Sequence, residues 1–303
     1  MSLKKARVEV NNAVFSLPYY VARDQGYFAE EGVEVELVPA GSGRDRDQDV
    51  PNKPIADHKL VDSYGWHRGI EEGEFSLYRA CEWGQIRRTQ DSGQGARVIS
   101  RRAAVTTQAI IVAPESPFNI PADLKNKTVA VNFHAGSHYV TLGLLGGYLQ
   151  KDQIKAVHYG GPKQRFQAVS DGTVDAAAVM EPWISVAEKK GYKLIAETYY
   201  EGAEVATPSL DPEAYAAIDR AIKRAVATLN QDLMPYLHYL CAEVPKEILD
   251  LNPEDIHRPR LRYIDPRAYT EAEYTQIFDW MTSWDLLDSE SVYDKIVESK
   301  IPA

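Results

Sequence analysis

Two alternating strands with a helix between them open this chain, and they constrain its fold more than any other feature. Arg7-Val8-Glu9-Val10 alternates polar and apolar within a strand reading from Ala6 to Asn11. Pro18 to Glu31 then carries Tyr20, Val21, Tyr27 and Phe28 at helical spacing until Gly32 stops it. Val33 to Val38 alternates again. Parallel strands joined by a helix form a right-handed crossover, so the chain begins an α/β sheet. The same grammar returns later, where the apolar strand Thr128 to Phe133 meets a Gly-Ser turn and a helix from about Ser137 to Leu149. That turn makes a pocket floor. The first N–H groups of a helix lack partners within it and its dipole is positive there, which suits an anion or acceptor. Ser137, with His134 or His138, would touch such a ligand; alternatively, Ser137 only caps its own helix.

Between these units the spacing predicts a loop over 41–54, a helix over 57–72, and strands near 76–78, 96–100 and 109–113. Pro114 marks a crossing into a second domain. Strands at 156–159, 176–180 and 194–197 alternate with helices at 162–170 and 184–190, and the chain crosses back near 199–203. From Pro212 onward it reads as helical: 215–229, 233–241, 245–249 and a last pair from Glu271. One lobe is therefore residues 1–108 plus 200–303, and the other is 109–199. Trp280 and Trp284 share a helix face and read as core.

At 303 residues the chain suits two domains of ordinary size. A net charge of −10 argues against a nucleic-acid partner. The arginine group Arg87, Arg88, Arg97, Arg101 and Arg102 reads as a solvated edge. Cys81 and Cys241 make neither a disulfide framework nor a metal site of known spacing, so they read as free thiols, and no cofactor is expected. No apolar run approaches the roughly 20 residues of a membrane helix, so no direct membrane insertion is expected. Met1-Ser2-Leu3 leads at once into the first strand. That fits a periplasmic or other extracytoplasmic protein whose leader has been removed, or a cytoplasmic one.

Three motifs resemble a known family. Gln25 to Glu36 looks like the GYF-x-x-x-G opening of the solute-binding proteins that serve ABC importers for nitrate, sulfonates, taurine and thiamine precursors. Pro121 to Val131 is similar to their ADLKGKKVAV lead, and Asp171 to Trp183 to their G-x-VDAA-x-x-x-EPW segment. The resemblance implies a two-lobed, type II periplasmic-binding-protein-like α/β fold. Each lobe would be a mixed sheet flanked by helices, closing on a ligand in the cleft. Ligands of open α/β sheets sit beyond the carboxyl ends of strands. The candidate ligand-binding residues are therefore Asn11, Asn12, Tyr19, Tyr78, Glu82, Trp83, Thr107, His134, Ser137, His138, Glu181 and Trp183. The partners implied are a small organic ligand, planar in part and acidic or accepting at one end, and a membrane permease.

Residues 57–90 hold more chemistry than a receptor needs. Helical spacing puts Tyr64, His67, Arg68 and Glu71 on one face, which reads either as a surface helix with ion pairs or as His67, Glu82 and Trp83 reaching the cleft. The chain also resembles 2'-hydroxybiphenyl-2-sulfinate desulfinase locally, with His58 and Arg68 ten apart around Asp62. Its cysteine nucleophile would fall at Ala13, so that thiolate is missing. The iron motif of the fungal pyrimidine-precursor synthases has no counterpart either. A cofactor-free enzyme on this scaffold, a lyase or desulfinase-like activity, would use His58, His67, Arg68 and Glu82. The leading expectation is a binding protein.

Overall fold

The computed structural model of the protein describes residues 3–41 and 53–300. In chain order the first part runs β1 (Lys4–Val10), α1 (Ala13–Asp24), α2 (Tyr27–Glu30), β2 (Val33–Pro39), β3 (Leu77–Cys81), α3 (Glu82–Gln90), β4 (Arg97–Arg101) and β5 (Ala104–Val112). Then come β6 (Thr128–Val131), α4 (Gly136–Gly146), β7 (Lys155–His158), α5 (Pro162–Ser170), β8 (Ala176–Met180), α6 (Trp183–Lys189), β9 (Lys193–Tyr200) and β10 (Gly202–Ala206). The C-terminal part adds α7 (Pro212–Gln231), α8 (His238–Cys241), β11 (Leu261–Tyr263), α9 (Glu271–Ser283) and α10 (Tyr293–Ile296).

The strands form two mixed sheets, as an α/β two-lobed fold requires. In the first, β1 lies between β2 and β3 and is parallel to both, while β10 runs antiparallel between β3 and β4. In the second, β6 lies parallel between β7 and β8. There β5 is antiparallel to β8 and β11 along one edge and to β9 along the other. Strand β8 is buried over its whole length, as a strand covered on both faces must be.

The chain passes between the sheets twice, by strand running almost directly into strand. Only Arg102 and Ala103 separate β4 from β5, and only Glu201 separates β9 from β10. The Arg102 N–H donates to the Gly202 carbonyl at 3.1 Å, so the two passes lie side by side. A side chain at Gly202 would overlap the Ala80 carbonyl and the Arg102 side chain, so only glycine fits. The arginine group is not the solvated edge its composition suggests. Arg88, Arg101 and Arg102 are buried. Arg101 pairs with Glu82, and Arg102 donates to the Ala104 carbonyl at 2.8 Å and the Thr106 hydroxyl at 2.7 Å.

Several elements depart from their periodicity. The helix expected over 57–72 is two short 3₁₀ turns, His58–Leu60 and Gly65–Ile70. The Asp57 and Asp62 carboxylates accept the N–H groups of Lys59 and Tyr64, and such local bonds compete with a helix. Gly65 adds a break at φ +49°. The helix expected from Pro18 begins at Ala13, with Pro18 inside it, and Gly26 at φ +74° splits off α2. Residues 82–90 form α3, where the spacing predicts no element, because its buried face carries Gln85, Arg88 and Thr89 rather than an apolar stripe. The segment 245–249 is not helical, and 233–241 holds only a 3₁₀ turn and α8. Of the loop expected over 41–54, residues 42–52 lie outside the described residues. Both cysteines are free, and no described helix is long and apolar enough to cross a membrane.

Candidate functional site

A cavity of about 330 Å³ opens between the two sheets. From the first sheet's side it is lined by Asn11, Asn12 and Phe15 at the start of α1, by Trp66 and His67, by Ala80 and Cys81 ending β3, by Arg88 of α3, and by Glu243. From the second sheet come Gln108 of β5, Asn132, the α4 start Ala135–Ser137, the α5 start Gly161–Arg165, Met180, Trp183 and Tyr200. These positions follow strand ends, where open α/β sheets place ligands.

The second wall is electropositive and incompletely bonded. Arg165 is 2% exposed, and its guanidinium donates to the carbonyls of Ala178 at 2.8 Å and Gly160 at 2.6 Å. No carboxylate pairs with it among the described residues. Burial pushes its pKa down to about 9, so it stays charged at neutral pH. Gln108 is 1% exposed, and its Nε2 has no acceptor among the described groups. No described side chain caps α4: the Ser137 Oγ accepts the Asn132 N–H at 2.9 Å and so braces the turn instead of its helix. The N–H groups of Gly136 and Ser137 have no acceptor among the described residues. A Cβ at Gly136 would lie 2.6 Å from the Tyr200 hydroxyl, so glycine lets the ring close this wall. A buried cation, an amide donor and a helix start, all without partners among the described residues, are features that suit an anion.

The first wall has its charges answered. The start of α1 is plugged by Glu243, whose Oε1 accepts the Ala13 N–H at 2.5 Å. His67 sets Nδ1 2.7 Å from the fully buried Glu9 carboxylate. Asn11 bonds the Arg79 carbonyl at 2.8 Å. Arg88 donates to the carbonyls of Ser63 and His134 and to the Gln85 amide oxygen, tying α3 to the opposite turn. Burial pushes the Cys81 thiol up, away from thiolate chemistry.

Four histidines surround the α4 turn. His58, His134 and His138 pack ring to ring within 6.2 Å, and the Phe133 ring separates them from His158. Burial pushes His134 and His158 down to about 4, lowers His58, and takes His138 well below the usual histidine range. A ring held neutral in the fold but protonated at 6.5 when unfolded favours the fold fully above about pH 6.5. That contribution declines as the pH falls toward 4. At 1.4 kcal/mol per pH unit, His134 and His158 should each cost about 3 kcal/mol once the pH is below 4. Thermal unfolding from pH 7 to pH 4 should therefore show a steep fall in Tm below pH 6.5. A Tm independent of pH between 6.5 and 4.5 would contradict this.

Of the expected ligand-binding residues, the structure gathers Asn11, Asn12, Ser137 and Trp183 around the cavity, together with His67 from the enzyme alternative. The others lie behind it. Tyr19 donates to buried Glu204 at 2.6 Å, and Tyr78 is a fully buried ring beside His67. Glu82 bonds Arg101 and the Tyr269 hydroxyl. Trp83 packs among Tyr139, Tyr200 and Trp280. The Thr107 hydroxyl donates to the Arg260 carbonyl at 3.1 Å, and Glu181 takes bonds from Ser185 and Arg260. His134 and His138 stand under the turn, His58 packs on them, and Arg68 pairs with Asp62 at the surface. Arg165 and Gln108 were not among the expected residues. The run Gly160-Gly161-Pro162 after a strand is the signal for Arg165, because it repeats the strand, small-residue turn and helix start of Asn132–Ser137.

Solved structures share this fold across nearly their whole length. The alkanesulfonate-binding protein SsuA of Xanthomonas axonopodis, bound to MOPS, is 16% identical with a TM-score of 0.73, covering 99% of each chain. The Candida albicans CA3427 product, described as having the generic periplasmic-binding-protein fold, reaches a TM-score of 0.74 at 13% identity, covering 99% of this chain and 98% of its own. The nitrate-binding protein NrtA of Synechocystis is 15% identical with a TM-score of 0.65, covering 98% of this chain and 86% of its own. No curated protein sequence matches the chain. A family model does match residues 14–55 and 81–229, more than half of the sequence, and on that match the chain belongs to the NMT1/THI5-like family.

Proposed function

We propose that this protein is the substrate-binding component of an ABC importer, and that it holds a small organic anion between its sheets. The observation that carries the reading is Arg165, a buried guanidinium on the cavity wall with no carboxylate partner among the described residues, beside the Gln108 amide and the start of α4, which likewise lack described partners. A cation in that position is stable when a ligand supplies its counter-charge. Phe15, Trp66, Trp183 and Tyr200 give the remaining lining a planar, apolar character. The ligand is therefore a carboxylate or sulfonate with a flat or partly apolar body. The solved relatives that bind sulfonates and nitrate support the role of receptor. In this reading residues 1–108 with 200–303 and residues 109–199 are the two lobes, which close about the paired strand passes. The protein works outside the cytoplasm with a permease as partner.

A thermal-shift series tests this, with benzoate and benzenesulfonate set against neutral benzamide. Stabilisation grows with the ratio of ligand concentration to Kd, about 2.7 kcal/mol at a hundredfold excess. The anions are expected to raise Tm and to be recovered unchanged by mass spectrometry. Benzamide is expected to leave Tm where it is. Equal shifts from anion and amide would overturn the assignment, and turnover would favour the enzyme alternative.

A further inference from the structure

The turn between β6 and α4 supplies Asn132, Ala135, Gly136 and Ser137 to the cavity, and its backbone is held in an unusual way. The Phe133 N–H donates to the His158 Nδ1 at 3.1 Å, and the His134 N–H points at the His138 Nδ1 at 3.5 Å. A backbone N–H can only donate, so each Nδ1 must be the bare nitrogen of a neutral ring. A third histidine secures the same turn from outside, since the His134 Nε2 bonds the His58 carbonyl at 2.9 Å. His134 itself sits at φ +60°, a conformation that costs a non-glycine residue energy and needs surrounding bonds to persist.

We infer that His158 is a positioning residue for the ligand cavity, its neutral imidazole accepting the Phe133 N–H and so holding the α4 start where an anion can reach it. Acidification removes that acceptor. A proton on Nδ1 turns it into a donor facing a donor, and the turn is released. Among the described residues no acidic group acts on His158 or His138. The charged groups facing His158 are Arg165 and His134. Those facing His138 are His134, His58 and His158. Arg87 and Arg88 of α3 face His134, and Asp57, Lys59, Arg87 and Asp285 surround His58. Loss of affinity in acid is thus built into the turn. Its bearing on ligand binding rests on the anion-site reading above; the positioning itself does not.

The test reads the turn directly. In ¹⁵N-edited spectra of the wild-type protein at pH 7, His158 is expected to carry its proton on Nε2. With His158 at about 4 in the fold and near 6.5 when released, amide protection at Phe133 should fall roughly 20-fold from pH 7 to pH 5, after correction for intrinsic exchange. His158→Asn places an amide oxygen near the Nδ1 position but takes up no proton. It should match wild type at pH 7 and show a fall smaller by roughly that factor. His158→Phe should lose the protection at both pH values. The affinity for benzenesulfonate, which stays ionised throughout, should follow the same order. A proton found on Nδ1 at pH 7, or the full wild-type fall retained in His158→Asn, would overturn the inference. Failure of benzenesulfonate to bind any variant, with the exchange results as expected, would support the positioning role and count against the anion reading alone.

Discussion

Replacing Arg165 by methionine is expected to raise the Kd for benzoate or benzenesulfonate at least 30-fold while leaving the fold intact. Charge-assisted bonds from a guanidinium to a carboxylate or sulfonate are strong, and truncating one partner of a buried charge pair costs about 2–5 kcal/mol. In this wall Gln108 supplies a neutral donor, α4 a partial charge and Lys163 a single ammonium, and none of them offers the forked donors of a guanidinium. The unliganded variant should be close to wild type in stability. Methionine keeps the apolar stem and gives up two bonds to the Ala178 and Gly160 carbonyls, but it also removes a charge whose burial is uncompensated. Arg165→Lys should fall between the two, since a single ammonium cannot hold both carbonyls and also grip an anion in a forked geometry. Calorimetry with each variant measures the affinity, and circular dichroism on heating measures the fold. Arg165→Met binding the anions like wild type would remove the basis of the proposed function.

The largest effect on stability is expected at Arg260. This residue arrives from the C-terminal segment, lies 5% exposed, and donates to three carboxylates around the second sheet. It reaches Glu188 at 2.7 and 2.8 Å, Glu197 at 2.9 and 3.0 Å, and Glu181 at 3.3 Å. Glu181 is the one with no recourse to solvent, being 1% exposed, and burial pushes its pKa up. Arg260→Ala strands that carboxyl beside two others. Breaking a buried pair from one side costs about 3–5 kcal/mol, which for a chain of this size lowers Tm on the order of 10 °C. The effect should carry to the cavity, because Glu181 and Pro182 lead directly into Trp183 on its wall. Denaturant unfolding of Arg260→Ala and Arg260→Lys gives the measurement, with lysine expected to recover part of the loss. A change under 1 kcal/mol for alanine would show that Glu181 is held by Ser185 without the arginine.

The fold was legible because its elements are long, periodic and linked by short turns. Helix 162–170 begins where Pro162 puts it, and strand 176–180 is the unbroken apolar run of a strand covered on both faces. The segment 57–72 was not, since side-chain bonds from Asp57 and Asp62 decide it and hydrophobic spacing does not. Helix α3 escaped notice for a related reason, as its buried face is polar and hydrogen-bonded. In the site, the strand-end loops were foreseen, but the choice of side chain within a loop depended on facing. On β5 the side chain of Gln108 lines the cavity and that of Thr107 does not, because successive residues point to opposite faces. Arg165 lies one turn into a helix; the Gly160-Gly161-Pro162 run marks that helix start as a cavity wall, but which of its side chains faces the cavity is set by packing and not by the run. The aromatic residues of 78–83 lie behind the cavity, Tyr78 as a buried ring beside His67 and Trp83 in the packing of α3 against α4 and α9.

The crystal structure of the complex with benzenesulfonate tests the central claim most directly. The account predicts sulfonate oxygens on the Arg165 guanidinium, the Gln108 Nε2 and the N–H groups of Gly136 and Ser137, with the ring toward Phe15 and Trp183. A sulfonate bound at the start of α1, or outside the cavity with Arg165 untouched, would contradict it.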